Sequence, residues 1–103
     1  MRPRKNRIIK GLPKYVKFKP NGVKARDLET IILLVEEYEA LRLADYENMT
    51  HEDASKLMEV SRQTFSRIVD SARKKMTKMI MEGKALSIEG GNYHFSNKEK
   101  NIL

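Results

Sequence analysis

Thr50–Arg73, THEDASKLMEVSRQTFSRIVDSAR, is the stretch on which the fold turns. Thr50 precedes His51-Glu52-Asp53, so a hydroxyl able to cap free N–H groups is followed by acids in the first turn, where they complement the helix dipole. A helix is predicted to start there. Ala54, Leu57 and Met58 give it apolar or small positions, with Val60 just beyond, and Ser61 offers a second N-cap soon after. Two helices joined by a tight turn follow, a helix-turn-helix.

The second helix divides by phase. At about 100° per residue, Phe65, Ile68, Val69, Ala72, Met76 and Met79 fall on one side, and Arg62, Gln63, Ser66, Arg67, Arg73 and Lys74 on the other. The polar side suits a major groove, because Arg pairs bidentately with guanine, Gln with adenine, and Ser with base edges or phosphates. Arg62, Gln63, Ser66 and Arg67, early on the helix, are the predicted base readers. Thr50, Ser61, Thr64, Arg73 and Lys74 are assigned to the DNA backbone, which raises affinity without reading sequence. Asp70 interrupts this face. It could accept from a cytosine amino group, pair with Arg67 or Arg73, or mark the end of the contact, and the ion pair is the favoured reading. A basic helix face is also compatible with plain solvated surface or with protein docking.

The charge layout favours a polyanion. Met1–Arg26 holds ten Lys or Arg and no acid, whereas the remainder holds eleven bases against fourteen acids, within a net charge of +7. The arm, residues 1–13, carries Arg2, Arg4, Lys5 and Arg7, which could follow phosphates or enter a minor groove. A disordered solubilising tail is the other reading.

A chain of 103 residues can build one core but has little room for a catalytic pocket beside a binding domain. Its longest apolar run, Ile31–Val35, is too short to span a membrane and is followed by acids. The basic N-terminus lacks the apolar region of a secretory signal, so the expectation is a soluble, cytoplasmic protein without membrane association. With no Cys there are no disulfides, thiol nucleophiles or cysteine zinc sites. His51 and His94 lack companion ligands at metal spacing, and neither a metal nor another cofactor is expected.

Outside the central stretch, Lys14–Lys19 alternates basic with apolar before the turn residues Pro20-Asn21-Gly22, which predicts an edge strand protected by lysines. An aromatic-basic nucleic-acid platform is the alternative there. Leu28–Tyr46 is ambiguous, since its apolar residues fit a helical stripe while Ile31–Val35 suits a buried strand. Glu36–Asp45 is predicted helical, packing across the two later helices to make a three-helix core. Its acids Glu36, Glu37 and Glu39 read as compensation of the helix dipole rather than as a catalytic site. Gly83 should end the long helix, and Ala85–Glu89 with Asn92–Phe95 should form a hairpin around Gly90-Gly91. That hairpin is expected to pair with the N-terminal strand and cover Met76, Met79 and Ile80, or to act as a wing against DNA. The architecture expected is mainly α, with a few short strands. Residues 14–95 are read as one domain and 96–103 as a flexible tail. A homodimer through the Met76–Met81 end and a monomer that covers it remain open.

These same residues carry a family resemblance. Glu37–Asp45 (EYEALRLAD), Val60–Ile68 (VSRQTFSRI), Ser71–Lys75 (SARKK), Gly83–Leu86 (GKAL) and Ile88–Gly91 (IEGG) resemble the domain-of-unknown-function 134 family of prokaryotic predicted DNA-binding proteins. Arg2-Pro3-Arg4 and Phe18-Lys19-Pro20 with Gly22 match as well, so the likeness covers roughly residues 2 to 93. The helices in turn resemble region four of sigma factors, which implies a helix-turn-helix and DNA binding. Two departures stand out. Glu59 replaces the Gly usual before Val-Ser, and a left-handed conformation there would cost about 1 kcal/mol. Cysteines that some relatives carry are absent, so no metal role is carried over.

The function expected is a sequence-specific double-stranded DNA-binding protein, a transcriptional regulator. The alternative is a protein-docking module that engages RNA polymerase or another transcription protein through the acidic Glu36–Glu47 helix. No glycine-rich phosphate loop, nucleophile-base pair or metal cluster points to an enzyme.

Overall fold

The ambiguous segment Leu28–Tyr46 divides into a strand followed by a helix in the computed structural model, which describes residues 6–96; the helical stripe does not extend back to Leu28, and of the strand only Leu33 is buried. Strand β3 (Thr30–Leu33) is followed, after the extended residue Leu34, by helix α1 (Val35–Leu41) and a π-helical turn over Arg42–Tyr46. The β-branched Thr30, Ile31 and Ile32 suit a strand, and the helix formers Glu36–Leu41 take over where they end.

Helix α2 (His51–Met58) begins as predicted, with the Asp53 N–H donating to Thr50 Oγ1 at 3.1 Å. It stops at Glu59, which adopts φ 55°, ψ 47°, the left-handed conformation expected from the missing Gly. Ser61 then caps helix α3 (Arg62–Glu82), accepting the Thr64 N–H at 3.0 Å. Gly83 terminates α3 at φ 65°. The 21 residues of α3 make a rod about 31 Å long.

That rod joins two cores. Its first half places Phe65, Ile68 and Val69 against Ala40, Leu43, Ala54 and Met58, the junction of the three helices. Its second half places Ala72, with the half-buried Met76 and Met79, against Ile9, Leu33, Leu86 and Ile88. Leu57 was expected inside but is exposed, and Ser55 is buried instead. The inner stripe of α2 is set by Ala54 and Met58, four residues apart; Leu57 falls to its flank. Ser55 satisfies its hydroxyl by donating to the Glu52 carbonyl at 2.7 Å.

The strands correct the hairpin expectation. Strand β4 (Ala85–Ile88) does not pair with β5 (Tyr93–Phe95). It is the centre of a three-stranded sheet, parallel to β3 with Ile31 opposite Leu86, and antiparallel to β2 (Lys17–Phe18) with Lys17 opposite Ser87. All four residues of β4 are buried, as befits a central strand. The helices therefore lie within the long connection between parallel neighbours β3 and β4. Gly90 and Gly91, at φ 73° and 105°, redirect the chain away from β4. They do not fold it back, because the Gly90 carbonyl accepts the Val35 N–H at 3.1 Å and ties the turn to α1. β5 then runs parallel to β1 (Arg7–Ile9), with Arg7 opposite Tyr93. The predicted edge strand exists only at Lys17–Phe18, and Ile80 remains exposed rather than covered.

Candidate functional site

The first two turns of α3 gather the predicted readers. Arg62, Gln63, Ser66 and Arg67 line one shallow depression of about 300 Å³. Arg62, Gln63 and Arg67 are exposed and make no side-chain hydrogen bond or ion pair among the described residues. Ser66 differs. Its Oγ shares a 2.9 Å hydrogen bond with His51 Nδ1, and the His51 ring meets Phe65 edge-on with centroids 5.2 Å apart. His51 thus fixes Ser66 from the neighbouring helix, a contact the sequence reading did not anticipate.

Around the turn, Thr50 and Ser61 spend their oxygens on the helix caps. Ser61 Oγ also donates to Thr64 Oγ1 at 2.9 Å. Arg7 lies beside them: it shares a depression with Glu59, Val60, Ser61 and Thr64 because strand β1 carries it to the start of α3. Arg7 is accordingly part of a strand whose Ile9 is buried, not of a free arm. Arg2, Arg4 and Lys5 lie outside the described residues.

Farther along α3 the cations separate. Lys74 is exposed, beside Arg67 and Asp70. Arg73 is forked onto Asp45 of the π-turn, Nε to Oδ2 at 3.0 Å and Nη2 to Oδ1 at 2.7 Å. This hydrogen bonding holds the Asp45 carboxyl below its ordinary range. The expected close ion pair of Asp70 with Arg67 or Arg73 is not formed among the described residues: Asp45 offers Arg73 both oxygens in bidentate geometry, and Asp70 adds only a longer-range attraction to Arg73. Lys75 turns inward, donating to Glu37 Oε1 at 2.7 Å and to the Ile32 carbonyl at 2.8 Å.

The acids of α1 carry a role that dipole compensation understates. Glu36, Glu37 and Glu39 are all buried, and each ties down a different segment. Glu36 accepts the Asn92 N–H at 2.8 Å, before β5. Glu37 accepts from Leu34 N–H at 2.8 Å, from Ser71 Oγ at 2.5 Å and from Lys75. Glu39 accepts the Lys10 N–H at 3.0 Å and a two-pronged bond from Arg42 Nε and Nη2. Such bonds answer the desolvation that would make bare buried carboxylates prohibitive. They also take Glu36, Glu37 and Glu39 off the surface, leaving Asp45 and Glu47 as the exposed acids of the Glu36–Glu47 stretch, each paired with an arginine. The only signal in the sequence was the run of acids inside an otherwise apolar stretch.

The family model described as a protein of unknown function, DUF134, matches residues 1–96. The chain belongs to that family. A UPF0251 protein of Halothermothrix orenii is 47% identical over 92 residues, covering 89% of this chain and 68% of the relative. One from Thermoanaerobacter sp. is 44% identical over 99 residues, covering 96% and 88%. One from Chlorobaculum tepidum is 50% identical over 90 residues but only 59% of its own length is covered. No solved structure matches the chain. Among the described residues of this DUF134 protein, no helix is long and apolar enough to cross a membrane, and no group of three or more His, Cys, Asp or Glu could hold a metal.

Proposed function

We propose that this DUF134 protein is a sequence-specific double-stranded DNA-binding protein and a transcriptional regulator, not an enzyme. In this reading α2, the turn at Glu59 and α3 form a helix-turn-helix similar to sigma factor region four. α3 enters the major groove by its N-terminal half. The observation that carries the reading is the convergence of Arg62, Gln63, Ser66 and Arg67 on one depression, with three of the four exposed and uncommitted. Arg and Gln supply the bidentate donors and acceptors that base edges require. Arg7, Ser61 and Thr64 stand at the helix start to meet phosphates, and Lys74 continues the contact along α3. Arg2, Arg4 and Lys5 extend it by charge alone. The burial of Glu36, Glu37 and Glu39 weighs against docking through an acidic helix face.

The test is selection of sites from a random duplex library by the wild type and by Arg67→Ala. Loss of about 1–3 kcal/mol of discrimination at one base pair is expected. Uniform weakening across all sequences would overturn Arg67 as a reader.

A further inference from the structure

A groove of about 960 Å³ opens where the sheet, α1 with its π-turn, and the second half of α3 meet. Its walls are apolar, drawn from β4 by Leu86 and Ile88, from α1 by Leu41, and from α3 by Met76. Tyr15 stands at it largely exposed and Phe18 nearly half exposed, although each offers a flat face whose burial would be favourable. The volume falls at the upper end of the range typical of small-molecule sites.

The lining charges define what would fit. Arg42 donates through Nε and Nη2 to Glu39 and through Nη1 to Glu47, so its three nitrogens are occupied. Arg73 is neutralised by Asp45. Lys14 is then the lining cation without an acid partner among the described residues; its Nζ lies 5.6 Å from the centroid of the Tyr15 ring. We infer that this groove binds a small monoanion with a flat apolar body, the body between Tyr15, Phe18 and the apolar walls and the carboxylate or sulfonate against Lys14. The inference rests on the groove alone and holds whether or not the protein binds DNA. A second protein chain is a poorer occupant, since a stable dimer needs about 800 Å² from each partner over a broad face, not a concavity of ligand size.

The test uses two dyes with the same ring system. 8-Anilinonaphthalene-1-sulfonate carries one negative charge, and N-phenyl-1-naphthylamine carries none. Fluorescence titration of the folded protein should give saturable binding of one sulfonate dye per chain, about fivefold tighter than the neutral dye. Lys14→Ala should bring the two dyes level. Thr77→Trp, on an exposed lining position of α3, should obstruct both while leaving the circular-dichroism melt unchanged. Equal affinity of the two dyes for the wild type would overturn the monoanion assignment. Binding unaltered by Thr77→Trp, or no saturable binding, would overturn the site. A dimer in sedimentation that the dye dissociates would overturn it in favour of a second copy.

Discussion

Replacing Gly91 by alanine puts a Cβ onto the Glu36 carboxylate and within 3.3 Å of Leu34 Cβ, at a backbone φ of +105°. Glu36 cannot swing away cheaply, because it is 2% exposed and accepts the Asn92 N–H at 2.8 Å. The backbone conformation costs an L residue about 1–3 kcal/mol. Losing a hydrogen bond to a buried charged group costs about 1.5–3 kcal/mol more. The reduced freedom of the unfolded chain with alanine offsets about 0.4–1 kcal/mol. Net destabilisation of about 2–5 kcal/mol follows from these terms. Gly90→Ala is the control: φ is +73°, but the nearest atom lies 3.9 Å away at Leu34 Cδ2, so the backbone term of about 1–2 kcal/mol, less the same offset, is all that applies. Urea unfolding followed by circular dichroism measures both. In a Glu36→Ala background the colliding group is gone, and the cost of Gly91→Ala should fall toward that of Gly90→Ala, a non-additive cycle. Equal costs for the two glycines in the wild type, or an additive cycle, would refute the role given to Glu36.

Glu59→Gly relieves the left-handed strain of about 1 kcal/mol while freeing the unfolded chain, so calorimetry should show a small rise in Tm, about 2–4 °C; a fall would mean the Glu59 side chain contributes more than its backbone costs. Asp45→Asn addresses the Arg73 fork. Because Asp45 has a depressed folded-state pKa, its stabilisation is present above the unfolded value of about 3.9 and is lost as pH falls through the folded one. Both partners are nearly half exposed, so the wild type should exceed the variant by under about 1 kcal/mol at pH 6, and the gap should close in acid; a gap that widens in acid would contradict the pairing. Lys74→Ala should weaken all duplexes alike and lower the salt slope of log K by about 1. A changed base preference instead would make Lys74 a reader.

The helices were legible in the sequence because their determinants are local. Thr50 and Ser61 are hydroxyls placed before apolar stripes, Gly83 follows the last periodic residue, and the left-handed conformation of Glu59 followed from the Gly it replaces. The strands were legible only in part. Ala85–Ile88 was recognisable as a strand, but its neighbours are set by contacts far along the chain: β3 lies before all three helices, and β2 earlier still. Local turn chemistry at Gly90-Gly91 suggested a hairpin, and a long-range bond from Val35 to Gly90 overrode it. The same distinction holds at the site. The exposed face of α3 came from helical phase, whereas the Ser66–His51 bond, the Arg73–Asp45 fork and the inward turn of Lys75 depend on tertiary packing. The acids of α1 were read in part for that reason: Glu36 and Glu37 do stand in the first turn, where they complement the dipole, but their burial and long-range bonds come from packing. Their spacing around the helix was correct, but each direction happened to meet a different packed segment.

Affinity for a duplex selected from a random library, set against a scrambled duplex and measured across a salt series, tests the central claim most directly. A regulator that reads bases through Arg62, Gln63 and Arg67 predicts a gap between the two duplexes that persists as salt rises, while both affinities fall. Equal affinities with the same steep salt dependence would leave only charge attraction and contradict it.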